Sequence, residues 1–226
     1  MISVYAWAAN PDATCYYRAY LPLGALKKLG LAKTAVGTMI GGSLSAHDVI
    51  VGQRQCLVNN TNEWDKMARA GKALVYELDD DIWHLPESNP AKKLFWDRDG
   101  MLARLEFNLM RSVCATASTE PLAAIMREFN PDVTVLPNYV DPMIFNVKRP
   151  KHSGITIGWA GSPTHRDDLA VCARQVRKVM GKYRLVDLHL MGVDYRWLFG
   201  RGRFTPPIAN LFDFLTILPC RELGML

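Results

Sequence analysis

The sequence has few cysteines and no spacing that would build a metal or disulfide site. Its five cysteines lie at positions 15, 56, 114, 172 and 220, so no two of them form a C-x-x-C motif. An odd, scattered set predicts free thiols in a reducing compartment, which favours a cytoplasmic protein. Residues 1–7 contain no basic leader and no apolar run reaches about 18 residues, so we expect neither a signal peptide nor a membrane span.

Several catalytic motifs are also missing. There is no G-x-S-x-G, H-E-x-x-H or Walker A sequence, which argues against the enzyme classes that these motifs define. The basic residues between positions 174 and 184 have no interleaved aromatics, so they do not form a nucleic-acid pattern. The net charge of +5 suits an anionic ligand such as a nucleotide phosphate, but it equally suits an ordinary solvated surface.

Short apolar runs alternate with helix-period segments along the first part of the chain. Strands are predicted at residues 2–9, 33–40, 48–52, 73–78, 114–118 and 133–136. Helices are predicted at residues 16–29, 62–70, 101–113 and 121–129. Strands that are buried on both faces and separated by helices indicate a parallel sheet covered by helices. We therefore predict a doubly wound, Rossmann-like α/β domain over residues 1–146.

A polar, proline-interrupted segment at residues 147–154 predicts a linker, after which the same pattern starts again. A strand is predicted at 155–159, a helix at 167–180, a strand at 185–191 and an apolar run at 212–218. The remaining 155–226 segment is short for a doubly wound domain. We therefore expect a partial second Rossmann-like domain, cut short relative to a complete one.

Three adjacent carboxylates, Asp79, Asp80 and Asp81, directly follow the predicted strand 73–78. Ligands of open parallel sheets bind outside the carboxyl ends of the strands. The three aspartates are therefore candidates for a general base, a hydroxyl-binding group or a metal ligand, or they form a solvated turn. Trp83 and His84 follow at once, and they either stack on a sugar ring or pack within the protein.

A second candidate site is the junction between the strand at 155–159 and the helix that follows it. Such a junction presents unpaired backbone N–H groups to an anion, and a glycine lets a ligand approach the backbone. Thr164 and Asp167 resemble a capping box. The alternative is an ordinary βα turn. The candidate phosphate-binding residues are Gly161, Ser162, Thr164, His165 and Arg166.

Arg18 opens the first predicted helix, in the loop that leaves the first strand. That loop also lies at a carboxyl end of the predicted sheet. Arg18 is therefore a candidate to hold an acceptor or a phosphate, with a helix-capping salt bridge as the alternative.

Four segments together resemble the glycosyltransferases with two Rossmann-like domains, known as the GT-B type, in their bacterial and phage members. They occur in the family's order over roughly residues 15–195. The segments are YELDDDIW at 76–83, ASTEPL at 117–122, LPNYVD at 136–141 followed by Phe145, and IGWAGS at 157–162 with His165 and Asp168.

The resemblance implies that the first domain binds an acceptor and the second binds a nucleotide sugar, with transfer in the cleft between them. It implies no metal and no cofactor, acceptor handling by Asp79, Asp80 and Asp81, and donor phosphates at residues 158–168. The acceptor is a glycan, a protein or a modified nucleic acid. Family members carry a later pair of glutamates eight residues apart, whereas Glu222 is the only glutamate after Glu128 here. We therefore expect an incomplete donor site, which leaves open a homo-oligomer or a partner that completes it.

Two other functions fit the residues. One is a non-catalytic binding protein that keeps the acceptor domain. The other is a single-domain, metal-dependent glycosyltransferase in which the aspartates hold Mg²⁺ or Mn²⁺. The predicted linker at 147–154 argues against the second of these.

Overall fold

The computed structural model describes residues 1–39, 46–96, 100–140 and 154–207, which form two compact units. Unit 1 consists of Met1–Leu85 and Lys92–Val140. Unit 2, within the described residues, consists of Pro86–Ala91 and residues 154–207. The predicted linker falls almost entirely outside the described residues, so the predicted domain boundaries stay a prediction.

Residues 1–140 form the alternating strands and helices that the apolar pattern indicates. A π-helical turn, Tyr16–Tyr20, joins the first two helices. The elements in chain order are β1 (Ile2–Trp7), α1 (Ala13–Cys15), α2 (Leu21–Lys28), β2 (Ala32–Gly37), β3 (Val49–Gln53), α3 (Val58–Arg69), β4 (Ala73–Leu78), α4 (Pro90–Trp96), α5 (Met101–Met110), β5 (Cys114–Ala117), α6 (Glu120–Met126) and β6 (Val133–Val135).

The six strands form one sheet in the order β2-β1-β3-β4-β5-β6, and every neighbouring pair is parallel. Order 2-1-3-4-5 is that of doubly wound folds whose winding reverses between β1 and β3. The predicted fold class, a doubly wound parallel sheet of the Rossmann type, is therefore confirmed.

The two faces of this sheet have different cores. On the face covered by α3, the ring of Trp64 is fully buried. It lies 6.0 Å from the ring of Tyr76 and 6.4 Å from that of Trp7. On the face covered by α2, Leu23 packs into a cluster with Val4 and other small residues of β1. Because residues alternate between faces along a strand, each strand contributes to both cores.

The Trp64 ring leaves no room for a side chain at Gly52 of β3. A Cβ added at Gly52 would lie 2.4 Å from the Trp64 ring, so we expect Gly52→Ala to lower the free energy of unfolding by about 1–3 kcal/mol. Gly24 in α2 has no atom within 4 Å of its ideal Cβ position, so Gly24→Ala should stabilise the protein by about 0.5–1 kcal/mol. Urea unfolding of both variants measures the contrast, and equal effects would contradict the packing.

Unit 2 starts the same architecture again. It contains β7 (Ile155–Gly161), α7 (Arg166–Lys182), β8 (Val186–Gly192) and β9 (Arg203–Thr205), and the strands form a parallel sheet in the order β7-β8-β9. Leu169, Ala173 and Met180 of α7 pack against β8, as the predicted apolar stripe requires. The start of a second parallel α/β unit, which the sequence predicts, is thereby confirmed, while the predicted run at 212–218 lies outside the described residues.

Several elements escaped the sequence analysis, among them α4, β9 and the π-helical turn. α4 and β9 carry too little apolar periodicity to stand out, since β9 has three residues and α4 seven. The π-helical turn interrupts a segment that predicted one regular helix over residues 16–29. Within the described residues, no helix combines the length and apolarity needed to cross a membrane, and the four cysteines present there are unpaired.

Candidate functional site

The strand order brings the candidate residues of unit 1 to one edge of its sheet. β2 lies on one side of β1 and β3 on the other. Ligands of open parallel sheets bind outside the carboxyl ends of the strands, at such a reversal of winding. Arg54 directly follows β3, and Asp79 directly follows β4. Both residues therefore lie at the edge where this fold forms its ligand crevice.

A buried ion pair joins the first helical segment to β4. Arg18 lies in the π-helical turn, and its Nε is 2.6 Å from Oε1 of Glu77, with both side chains only 1% exposed. Breaking such a pair is expensive because the remaining charge stays buried. Single-turn π-helical insertions are frequent at functional sites, and here the turn carries the arginine that meets β4.

The same guanidinium also holds the loop that follows β6. Nη1 of Arg18 donates to the backbone O of Leu136 and, at 3.0 Å, to Oδ1 of Asn138. Nη2 is buried and has no hydrogen-bond partner among the described residues. The hydrogen bonds that Arg18 makes therefore serve the fold, because they tie β4 and the segment after β6 to the π-helical turn.

Burial perturbs the two carboxyl groups nearest this arginine. It raises the pKa of Glu77, an effect that the guanidinium of Arg18 opposes. The pKa of Asp79 is raised to about 6, mainly because burial disfavours its charged form and secondly because of the charge on Asp80. The positive charges of Arg54 and Arg18 act in the opposite direction. Asp79 is thus a carboxyl group that changes its charge near neutral pH, as a general base requires.

Arg54 adopts a backbone conformation that side-chain-bearing residues rarely adopt. Its φ is +48°, and it is the one non-glycine residue with positive φ in the described ranges. Its backbone N–H still donates to the carbonyl O of Glu77 at 2.9 Å. Such strain costs about 1–3 kcal/mol and clusters at ligand sites. The strained Arg54 backbone lies next to Glu77 and Asp79. The positive charge of Arg54 opposes the rise that burial causes in the pKa values of both carboxyl groups.

The three predicted catalytic aspartates differ in their surroundings. Asp79 is half-buried, and its Oδ1 has no hydrogen-bond partner within the described residues. Asp80 is exposed. Asp81 stabilises the turn, because its Oδ1 accepts from the backbone N–H groups of Trp83 and His84, at 3.0 and 3.1 Å. In the part of the chain that the structure describes, no group of three or more His, Cys, Asp and Glu side chains is arranged to hold a metal ion.

The two predicted acceptor-binding rings already have contacts of their own. The Trp83 ring stacks on Phe129, with centroids 5.5 Å apart and planes at 14°, and its Nε1 donates to Oε1 of Glu106 at 2.9 Å. Nδ1 of His84 lies 2.8 Å from Oδ2 of Asp81. Packing therefore accounts for Trp83 and a local hydrogen bond for His84, while their role in acceptor binding stays a prediction.

In unit 2, the predicted phosphate-binding residues surround the end of β7 and the start of α7. Gly161 ends β7, and a 3₁₀ turn, Pro163–His165, leads into the helix. The side chain of Trp159 gives a second reason for this glycine, since a Cβ at Gly161 would lie 2.5 Å from that ring. The glycine is thus required by packing within unit 2, whether or not a ligand approaches it.

The predicted capping box at Thr164 and Asp167 is wrong. The 3₁₀ turn makes His165 the N-cap of α7, and no side chain caps this end. Oγ1 of Thr164 instead lies 2.6 Å from Oγ of Ser162. The remaining side chains pair locally, His165 with Asp168 at 2.9 Å and Arg166 with Asp167 at 3.1 Å. The uncapped backbone donors of this helix end therefore suit an anion, although two aspartates already complement its dipole.

The sequence analysis missed Glu77 as a site residue, although it lies in the quoted YELDDDIW segment. A detectable signal was present, because a glutamate inside a strand buried on both faces needs a partner of opposite charge. Gln53 and Thr116 were missed as well. Each has a buried polar atom without a hydrogen-bond partner among the described residues, Nε2 and Oγ1 respectively. Their importance depends on strand register, which the sequence does not reveal.

Comparison with known proteins yields structural likeness only. No protein-family model matches the chain, and no curated protein matches it. A co-structure of S. aureus MnaA with UDP matches with a TM-score of 0.54 at 10% identity, covering 96% of this chain and 71% of that one. A putative UDP-N-acetylglucosamine 2-epimerase from Listeria monocytogenes matches with a TM-score of 0.50 at 12% identity, covering 94% and 70% respectively. At identities this low, the likeness establishes the fold, an α/β architecture that this chain shares with both proteins.

Proposed function

We propose that this protein is a nucleotide-sugar-dependent glycosyltransferase in which unit 1 handles the acceptor and unit 2 the donor. The observation that carries the proposal is Asp79. It is a half-buried carboxyl group with a pKa of about 6 at the carboxyl end of β4, and one of its oxygens has no hydrogen-bond partner in the described ranges. These are the properties of a base that removes a proton from an acceptor hydroxyl.

In the proposed reaction, Asp79 accepts the hydroxyl proton while the acceptor oxygen forms a bond to the anomeric carbon of the donor sugar. The bond from that carbon to the nucleoside diphosphate breaks, and the diphosphate leaves with the electron pair. Backbone N–H groups at the start of α7, with His165 and Arg166, stabilise the departing charge. The acceptor is a glycan, a protein or a modified nucleic acid, and no metal is required.

A second function draws support from the fold comparison, in which one matching protein is bound to UDP and another is described as an epimerase. An epimerase rearranges its nucleotide sugar and needs no acceptor. The Asp79 carboxyl group would then act on the donor itself. We favour transfer because the sequence segments around Asp79 and Asn138 resemble glycosyltransferases.

The first experiment is a thermal-shift screen of the full chain against UDP-, GDP- and TDP-sugars, with and without Mn²⁺. A ligand at 100 times its Kd stabilises a protein by about 2.7 kcal/mol, which is readily detected. We expect at least one nucleotide sugar to raise Tm equally with and without Mn²⁺. A shift that needs Mn²⁺ supports the metal-dependent enzyme, and no shift with any nucleotide supports a non-catalytic binding protein.

Product analysis by NMR then separates the two enzyme classes. Transfer predicts nucleoside diphosphate release that depends on an added acceptor, whereas epimerisation predicts a changed sugar still attached to its nucleotide. Arg166→Ala should weaken nucleotide binding about tenfold through the loss of a charge-assisted contact. Arg177→Ala is the matched control, because Arg177 is an exposed residue of the same helix, away from its start.

A further inference from the structure

One edge of the unit 2 sheet is open within the described ranges. β7 pairs with β8 along its whole length, and no strand of the part of the chain that the structure describes lies at its other edge. In unit 1 the corresponding first strand, β1, has a neighbour on both sides. Proteins commonly protect open edges with charged side chains or proline, whereas β7 reads ITIGWAG and has neither. β7 is therefore an edge at which another strand can add.

An apolar groove of about 470 Å³ lies beside β7. It is lined by residues from the starts of β7 and β8 and from the C-terminal end of α7, among them Ile155, Ile157, Val179, Tyr183 and Leu185. Ile155, Tyr183 and Leu185 are each at least half exposed. A cluster of exposed apolar side chains next to an open strand edge marks an interaction surface.

The flank of α7 that borders this groove is complementary to itself. Val179 lines the groove, and four further exposed residues share its stripe of the helix because they are spaced alternately by four and three positions: Asp168, Cys172, Gln175 and Lys182. We call these five residues the α7 stripe. It has an acid at its N-terminal end and a base at its C-terminal end. Two stripes in antiparallel orientation therefore place Asp168 of each copy opposite Lys182 of the other.

Antiparallel pairing of two β7 strands brings two such stripes together. The two-fold axis of this pair is perpendicular to the sheet, so both copies of α7 lie on the same face and run antiparallel. α7 packs against β8 and also against Ile157 and Trp159 of β7, so it lies above both strands. The two helices are then about two strand spacings apart, or about 10 Å, which is the distance between packed helices.

We propose that this chain forms a symmetric dimer in which the two β7 strands pair antiparallel and the two α7 stripes close over the grooves. The partner is a second copy because the surface carries its own complement: an uncharged edge strand, an apolar groove and opposite charges at the two ends of the stripe. One sheet in the order β9-β8-β7-β7-β8-β9 then runs through both copies. The inference goes beyond the proposed function and does not depend on it.

Charge reversal on the α7 stripe tests the proposal, with sedimentation equilibrium of the full chain as the measurement. Lys182→Glu opposes the partner's Asp168, and it should raise the dimer dissociation constant about tenfold because a symmetric interface contains this contact twice. Adding Asp168→Lys restores opposite charges and should recover most of the lost affinity. Arg177→Glu is the matched control, because Arg177 is an exposed residue of the same helix that lies off the stripe. It should dimerise as the wild type does.

Hydrogen exchange at residues 155–161 tests the strand pairing separately. The β7 amides that point away from β8 should exchange at least about tenfold more slowly in the dimer than in the dilute monomer, because pairing gives them acceptors. The proposal is overturned if the chain stays monomeric up to its solubility limit, if the double variant is as weak as Lys182→Glu, or if Arg177→Glu weakens the dimer equally. It is also overturned if β7 exchange does not depend on concentration, and protection of β7 in a monomer would show that another part of this chain covers the edge.

Discussion

Replacing Asp79 with asparagine is expected to lower kcat for sugar transfer by about 100-fold or more. General base catalysis contributes about 10²–10⁴-fold, and asparagine has nearly the same shape but cannot accept the proton. Because the pKa of Asp79 is about 6, the wild-type kcat/KM should rise with pH through that value and level off above it. The base must be ionised to act, so the rate falls on the acid side. Initial rates between pH 5 and 8 measure both effects.

Two substitutions at neighbouring charged residues serve as controls, because they should shift the pKa of Asp79 in opposite directions. Asp80→Asn removes an exposed charge that raises the pKa of Asp79, so it should keep most activity and shift the acid limb to lower pH. Arg54→Gln removes a charge that lowers this pKa and should shift the limb to higher pH. A near-normal kcat in Asp79→Asn would show that Asp79 is not the base. The same conclusion follows if Asp80→Asn and Arg54→Gln shift the acid limb in the same direction.

Arg18→Met is expected to lower the free energy of unfolding by about 3–5 kcal/mol, the cost of leaving a buried charge without its partner. The substitution removes the Nε contact to Glu77 and the two Nη1 contacts to Leu136 and Asn138. Urea unfolding monitored by circular dichroism gives the value. Arg69→Met is the control, because Arg69 pairs with Asp65 on the surface of α3 and such pairs contribute at most about 1 kcal/mol.

Two further measurements identify the ion pair as the cause. Adding Glu77→Met to Arg18→Met should recover much of the lost stability, since replacing both charges by apolar side chains removes the unpaired group. Burial raises the pKa of Glu77 in the folded protein, and Arg18 opposes that rise. Stability linked to this group is therefore present at low pH and lost as the pH rises above the glutamate's unfolded value. Without Arg18 the loss extends further, so the Arg18→Met penalty should be larger at pH 9 than at pH 5. A penalty independent of pH would contradict this account.

The sequence indicated where the candidate site residues of unit 1 lie, but it did not indicate how the surroundings of those residues differ. Three carboxylates after an apolar strand correctly indicated a carboxyl end of the sheet, because the point at which a strand ends follows from the local apolar pattern. Their different surroundings were not predictable. Asp79 is half-buried, Asp80 is exposed, and Asp81 caps the next two residues, and these differences depend on the path of the chain after β4.

For Arg18 too, the sequence indicated the residue but not its partners. The sequence marked this arginine through its place after the first strand, but its partners Glu77 and Asn138 are 59 and 120 residues away. Which side chain Arg18 meets depends on the π-helical turn that rotates it and on the register of β4. Both are set by long-range packing, which no local pattern records.

The sequence by itself determined the alternation of strands and helices and hence the doubly wound parallel sheet. The reason is that the spacing of apolar residues within a short segment indicates whether that segment is a strand or a helix. Only the tertiary structure decided that Gln53, Glu77 and Thr116 lie side by side on neighbouring strands, that Arg18 pairs with Glu77, and that Asp79 is the aspartate with the raised pKa. Those properties depend on which strands become neighbours and in what register. Both are settled by contacts between residues far apart in the chain.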